Sequence, residues 1–377
     1  MSTLSRETLS AMTLARVSYY HVPAMRQLCL EAGSFAAVID NADQLQDLTP
    51  EARRMLASML RDRESVERRV EEEAAFAEAH GIKVLTFMDD DYPRRLAECS
   101  DAPIVLFYRG TADLNAKRVV NIIGTRHATQ YADDCIRRLV DELHQMCPDI
   151  LVVSGLAYGV DIMAHRHSLS CGVPTVGVLA HGLDTLYPSA HRDDARRMMT
   201  NGGLLTEHFT HTNADKVNFV RRNRIVAGMA DATILVESAE RGGGLITCRM
   251  ANSYGRDVFA YPGRVGDAYS AGCNNLIRQN GARLFTSAAD IVEAMEWGKD
   301  TECAEVKKKG IERSLFPQLD AESKKIVDAL TANNDQHLNV LATTTSIPIG
   351  SLKGKLFELE MQGIVKALAG SIYHLIK

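Results

Sequence analysis

Up to about residue 80, apolar side chains recur at helical spacing. LSAMTLARVSYY, VPAMRQLCLEAG, SFAAVIDNADQLQDL and EARRMLASMLRDRESVERRVEEEAAFAEAHG carry the pattern, broken at Pro23, Gly33 and Pro50, and predict a small all-α unit. From Lys83 the pattern changes to short β-branched runs: KVLTF, PIVLFYR, RVVNIIG, ILVVSG, PTVGVLA, GGLLTE, ATILVE and RDVFAYPG. Helix-length segments lie between several of them, at 128–146, 158–171, 189–200, 217–229 and 244–254. Continuous apolar strands alternating with helices predict an α/β fold, a doubly wound parallel sheet covered on both faces. WGKDTECAEVKKKGIERS, 297–314, is polar and reads as a linker. Beyond it, helical stretches at 320–332, 336–343 and 347–361 precede GIVKALAGSIYHLIK, two short strands around Gly370. Helices followed by a hairpin predict a winged helix-turn-helix, with Lys353 and Lys355 on the recognition helix. The predicted domains are therefore 1–82, 83–296 and 315–377, with the linker at 297–314.

Composition changes this picture little. The chain has 377 residues, 46% of them hydrophobic, enough for two or three domains. Its formal charge of -5 excludes a uniformly basic nucleic-acid coat. A local basic face remains sufficient, because screening confines the field to about 10 Å. The eight cysteines, at 29, 99, 135, 147, 171, 248, 273 and 303, form no CxxC pair and no Cys/His cluster, which suits reduced thiols of a cytoplasmic protein without a metal. MSTLSRETLS has no leader pattern, and no run of 18 apolar residues suggests a membrane span.

In a doubly wound sheet, ligands collect where strands turn into helices. The turn NIIGTRHAT offers Gly124 and Thr125 as bare backbone and Arg126 as a guanidinium for phosphate; a plain turn with a solvated arginine is the other reading. VVSGLAYGVDIMAHRHSL places Ser154 and Gly155 as a second phosphate-facing loop, the Ser154 hydroxyl donating to a ligand oxygen. Asp161, His165 and His167 lack a third metal ligand and read as satisfied structural polar residues. In LAHGLDTLYPSAHRD, His181 and Gly182 are weaker binding candidates, in a loop that Asp184 braces. ERGGGLITCRMANSYGR exposes Gly242, Gly243 and Gly244 before a helix, with Thr247 in its first turn.

One stretch stands apart from this acidic chain. KVNFVRRNR gathers Lys216, Arg221, Arg222 and Arg224 with no carboxylate among them. On a helix over 217–229, Ile225, Val226 and Met229 would face the sheet and Arg221 and Arg224 would share another face. The default is a solvated basic face paired with distant carboxylates; four cations beside phosphate-like turns favour a polyphosphate ligand. GxxxxGK[ST], GxSxG and GxGxxG are all absent, and no nucleophile–base pair is evident. The expected role is holding phosphates, with no catalytic residue and no cofactor.

GTR, SGLAYGVDIMAH, GLDTLYP, NFVRRNRIVAGM, GGGLIT, GRDVFAYPG and GCNNLIRQNGA occur in this order over about 170 residues. In that ordered set the sequence resembles the bacterial DNA-processing A (DprA/Smf) family. The resemblance implies an extended Rossmann-like core that binds single-stranded DNA, forms homodimers, protects incoming strands and loads the RecA recombinase during natural transformation. It also implies an N-terminal domain of SAM or helix-hairpin-helix type and a C-terminal winged helix. By carry-over, Arg126, Lys216, Arg221, Arg222, Asn223 and Arg224 would grip phosphates, Phe219 would stack on a base, and Asn274 would join the site. Departures from the family pattern fall at Tyr158 in place of Arg, at Val220 in place of Pro, and in the all-glycine 242–244.

Two other classes of function compete. One is a nucleotide-processing enzyme resembling cytokinin-activating phosphoribohydrolases, whose glycine loop carries a catalytic glutamate. GGGLITCRM has Cys248 and Arg249 where carboxylates would be needed, which argues against it. The other is a duplex-binding regulator working through the winged helix, but Lys353 and Lys355 sit beside Glu358 and Glu360.

Overall fold

The computed structural model describes residues 4–18, 21–41, 57, 61–298, 319–362, 364–368 and 370–375. The first part of the helical stretch expected over 51–81, up to residue 60 and apart from Ala57, and the linker from 299 to 314 lie outside them. The chain forms two compact units, Met1–Gly298 and Lys299–Lys377.

The first unit opens with α1 (Arg6–Val17), α2 (Val22–Ala32), α3 (Phe35–Asp40) and α4 (Arg63–Ala79). Side-chain oxygens start two of them: Ser5 accepts the N–H of Thr8 and Ser34 that of Ala37, both at 3.1 Å. These helices are not a unit of their own. Met12, Leu14, Met25 and Phe35 share one core with Leu85, Leu106 and Phe107 of the sheet. Buried Glu73 on α4 ties them in further, accepting from the Thr210 N–H at 2.9 Å and the Thr210 hydroxyl at 2.6 Å.

The sheet strands are β1 (Lys83–Thr86), β2 (Val105–Gly110), β3 (Arg118–Ile123), β4 (Ile150–Ser154), β5 (Thr175–Val178), β6 (Gly202–Thr206), β7 (Ala232–Leu235), β8 (Asp257–Ala260) and β9 (Arg283–Leu284). Among the described residues they form one nine-stranded sheet in the order β1-β2-β6-β5-β4-β3-β7-β8-β9. From β6 to β9 every pair is parallel. β1 and β2 are antiparallel additions, which corrects the expectation of a wholly parallel sheet. The reason is the connection out of β2. Running antiparallel, β2 ends at Gly110 opposite Gly203, the end of the sheet where β3 must begin. The eight steps from Gly110 to Arg118 span at most about 28 Å, enough to pass the three intervening strands, four spacings of about 4.8 Å, without a crossover helix.

Side chains alternate between two cores. Val119, Ile123, Leu151 and Val153 point to one face, and Val120, Ile122, Ile150 and Val152 to the other. Burial on both faces is why these strands read as unbroken apolar runs. One face is covered by α6 (Gln130–Met146), α7 (Val160–Ser170) and α12 (Ala288–Ala294). The other carries α9 (Lys216–Met229), α10 (Gly244–Ser253) and α11 (Ala271–Arg278) besides the N-terminal helices. Short α5 (Arg94–Ala97) and α8 (Arg192–Met198) complete the unit. β9, α11 and α12, at 2, 8 and 7 residues, are too short for periodicity to announce them in sequence. Trp297, placed in the linker by its polar neighbours, packs against the core, and its carbonyl accepts from Arg118 at 3.0 Å.

The second unit has α13 (Ala321–Ala332), β10 (Gln336–His337), α14 (Leu338–Thr345), α15 (Ile349–Met361), β11 (Val365–Leu368) and β12 (Ile372–Leu375). Its sheet runs β10-β12-β11, antiparallel throughout, over a core of Ile326, Leu330, Leu341, Leu352 and Leu356.

Candidate nucleic-acid interface

The strand order reverses direction between β3 and β7, so helices diverge there and leave a crevice at the strands' carboxyl ends. A cleft of about 560 Å³ occupies that crevice. Gly124, Thr125 and Arg126 enter it after β3, Gly155 after β4, and Gly242, Gly243, Gly244 and Thr247 after β7. The fourth wall is α9, which presents Lys216, Phe219, Val220 and Asn223. These stand at i, i+3, i+4 and i+7, one face of a helix.

The loop after β3 is held on both sides. The Thr125 N–H donates to the Glu237 carbonyl at 2.8 Å, and the Thr125 carbonyl accepts from Val160 at 3.1 Å. Thr125's amide is therefore not turned to an anion. Gly124 is needed because a methyl group there would run into the Val160 side chain and the Glu237 carbonyl. What the loop delivers to the cleft is the exposed Arg126 side chain, whose guanidinium lies 5.0 Å from the Phe219 ring centre. Tyr187 meets the same ring edge-on at 5.7 Å.

The arginines of α9 are placed differently from the sequence expectation. Arg222 also lines the cleft, but it is buried and donates to the carbonyls of Gly155 and Val178. Gly155 has no side chain because one would overlap that guanidinium. Arg224, also buried, donates to Glu207 and to the Asp101 carbonyl. Arg221 donates to Glu207 at 3.2 Å and borders a different cavity, beside the N-terminal helices. Burial pushes the Glu207 carboxyl up, but Arg224 and Arg221 together hold it below its ordinary range. The partner that local charge counting missed thus lies nine residues before Lys216, just past the end of β6. Lys216 and Arg126 remain exposed, and among the described residues neither has an ion-pair partner.

Other predicted residues divide in the same way. Buried Ser154 donates its hydroxyl to the Ile122 carbonyl at 2.7 Å, so it is not offered to a ligand. Asn274 does not reach the cleft; it exchanges two hydrogen bonds with Gly263, at 2.9 and 3.1 Å. Asp161, by contrast, does line the cleft, and burial raises its carboxyl above the ordinary range against the pull of Arg222. His165 bonds Thr175 at 2.7 Å and His167 bonds Asp133 at 2.8 Å, each in its own surroundings. Among the described residues no group of His, Cys, Asp and Glu is placed to hold a metal ion. His181 receives the Tyr187 N–H at 3.1 Å, and Asp184 that of His211 at 3.0 Å, so both brace their loops.

A family model described as DNA recombination-mediator protein A matches residues 83–296, the sheet and every wall of this cleft. The chain belongs to that family. DNA processing protein DprA of Bacillus subtilis is 38% identical over 223 residues, covering 59% of this chain and 74% of the relative. The same protein of Streptococcus pneumoniae is 37% identical over 212 residues, covering 56% and 74%. Its X-ray structure superposes with a TM-score of 0.64 at 28% identity over 77% of this chain and 98% of that one. DNA processing protein A of Helicobacter pylori, described for its single-stranded DNA binding mode, gives 0.51 at 26% identity over 57% and 95%.

Within the family's motifs, the structure also places the departures. Tyr158 is 46% exposed and meets the His191 ring edge-on at 5.0 Å. Val220 is exposed on the cleft wall, and Gly243 has open space where a side chain would stand. Among the described residues no helix is long and apolar enough to cross a membrane.

Proposed function

We propose that this chain is a single-stranded DNA-binding recombination mediator that protects incoming strands, passes them to RecA, acts as a homodimer and catalyses no bond breakage. The observation that carries this reading is the cleft's composition. Two exposed cations without an ion-pair partner among the described residues, Arg126 and Lys216, flank an aromatic ring, Phe219, which is the combination a flexible phosphate–base chain requires. The walls are largely backbone and apolar surface, so bases are tolerated without being read. The relative from Helicobacter pylori, described as binding single-stranded DNA, supports the same chemistry at 26% identity.

Against an enzyme stands position 248, where the phosphoribohydrolase reading would need a carboxylate. Cys248 is buried, and desolvation pushes its thiol up to about 12. A neutral, enclosed thiol supplies neither base nor nucleophile.

Fluorescence anisotropy of labelled poly-dT across a salt series, with duplex competitor, tests the proposal. Binding should prefer single strands and weaken with salt at a slope of about 0.7 per neutralised phosphate. Arg126→Ala should lower affinity about tenfold or more and flatten the slope without moving the thermal melt. No binding at low salt would overturn the reading. Transfer to RecA is checked by filament assembly on strands coated with single-strand binding protein, and dimerisation by sedimentation.

A further inference from the structure

A second cavity, of about 890 Å³, opens next to the first, between the start of α6 and the loop 262–270. Thr129, Gln130 and Tyr131 line one side of it, and Arg264 and Tyr269 the other. The two cavities share one loop as their divide: Thr125 and Arg126 face the first, Thr129 onward the second. Three Cα steps lead from Arg126 to Thr129, at most about 11 Å of chain. A single strand covers that distance in about three stacked nucleotides or fewer.

The second cavity is built rather than incidental. Asn274 clamps Gly263 at 2.9 and 3.1 Å, and the Ser238 N–H donates to the Tyr269 carbonyl at 2.7 Å, so the loop is fixed at both ends. The Tyr131 hydroxyl donates to the Pro262 carbonyl at 2.8 Å, which orients a ring that is 45% exposed. Tyr269 stacks on exposed His127, with centroids 6.1 Å apart and planes at 29°. Two carboxylates lie in the lining. Glu237 has both oxygens taken, by the Thr129 N–H at 2.9 Å and the Thr129 hydroxyl at 2.6 Å, at the positive end of α6. Asp267 is exposed and offers only acceptors, which suits the N–H edge of a base and repels a phosphate. Arg264 is exposed, with no ion-pair partner among the described residues.

We propose that this cavity is a second nucleotide subsite on the same strand track, taking one or two bases against Tyr131 and Tyr269 while Arg264 meets the adjoining phosphate. It rests on the reading of the first cleft as a single-strand site. The purified full-length chain is titrated with oligothymidylates of about four and about twelve nucleotides, lengths that bracket one site and two. Tyr269→Ala and Arg264→Glu should each lower affinity for the longer strand about tenfold and leave the shorter unchanged, whereas Arg126→Ala weakens both. Strands carrying 5-iododeoxyuridine should crosslink to Tyr131 or Tyr269. Should both variants bind both lengths like the wild type, with crosslinks confined to Phe219 and Tyr187, the subsite is refuted and the first cleft stands. Wild-type chain that binds neither length refutes both. If Tyr269→Ala melts early, the exposed Arg264 variant and the crosslinks decide.

Discussion

Arginines that the sequence grouped as phosphate ligands do opposite things here, and the difference lies in what surrounds each guanidinium. Arg222 and Arg224 meet buried carbonyls and a buried carboxylate; Arg126, from another element, meets solvent and a ring face. Arg222→Ala should lower stability by about 1–3 kcal/mol for each buried carbonyl left unpaired. Glu207→Gln should cost about 3–5 kcal/mol, because Arg224 would remain buried without its counter-charge. Urea unfolding of both, beside Arg126→Ala as the silent control, checks the assignment. A stable Glu207→Gln variant would mean that Arg224 finds another partner. That Arg126 would enter the cleft was legible because the turn after β3 has one long cationic side chain to offer. The partners of Arg221 and Arg224 were not, because Glu207 is close in space and distant along the helix pattern.

Elements fix which face of each motif is used. α9 was expected from its sequence, and its core residues Ile225, Val226 and Met229 are buried as the pattern implied. Its cleft face, 216-219-220-223, depends on how the helix is rotated against β3 and β4, which neighbouring charges do not encode. α7 carries a second consequence. His165 locks that helix to β5 through Thr175, and desolvation pushes its imidazole down to about 3, with His191 adding to the effect. An unfolded imidazole titrates near 6.5, so between that pH and 3 the unfolded chain binds the extra proton. Stability from this group is complete above about 6.5 and declines on acidification by up to about 1.4 kcal/mol per pH unit. Urea midpoints of wild type and His165→Asn should thus converge by about 2 kcal/mol between pH 7 and pH 5; a gap independent of pH would rule this out. In the second unit, Lys355 of α15 is held by Asp320 at 2.6 Å and Glu358 at 3.0 Å. That pairing leaves little free positive charge on the helix expected to read a duplex groove.

On the scale of the molecule, the N-terminal helices and the sheet form one compact unit, and the last 79 residues another. A fragment 1–298 should therefore bind single strands within about threefold of the full chain, since every wall of the cleft lies inside it. A fragment 83–298 should fare worse, because removing α1 to α4 uncovers Leu85, Leu106 and Phe107 and strands Thr210 without Glu73. Thermal melts and anisotropy on the two fragments give the comparison. Equal stability would show that the N-terminal helices are dispensable to the sheet.

The strands β1 to β8, the larger helices and the turns that could approach a phosphate are legible from residue order alone, because periodicity and glycine placement are local properties. It also carried the family's motifs in order, and with them the expectation of single-strand binding. The antiparallel edge, the position of the switch point, the shared core of the N-terminal helices and the sheet, and the exposure of each cation emerge once the chain is folded. Those outcomes depend on contacts between residues far apart along the chain, such as Arg69 with Thr210, 141 positions on. Whether a guanidinium grips a ligand or a neighbouring strand is settled by which acceptor packing brings within about 3 Å.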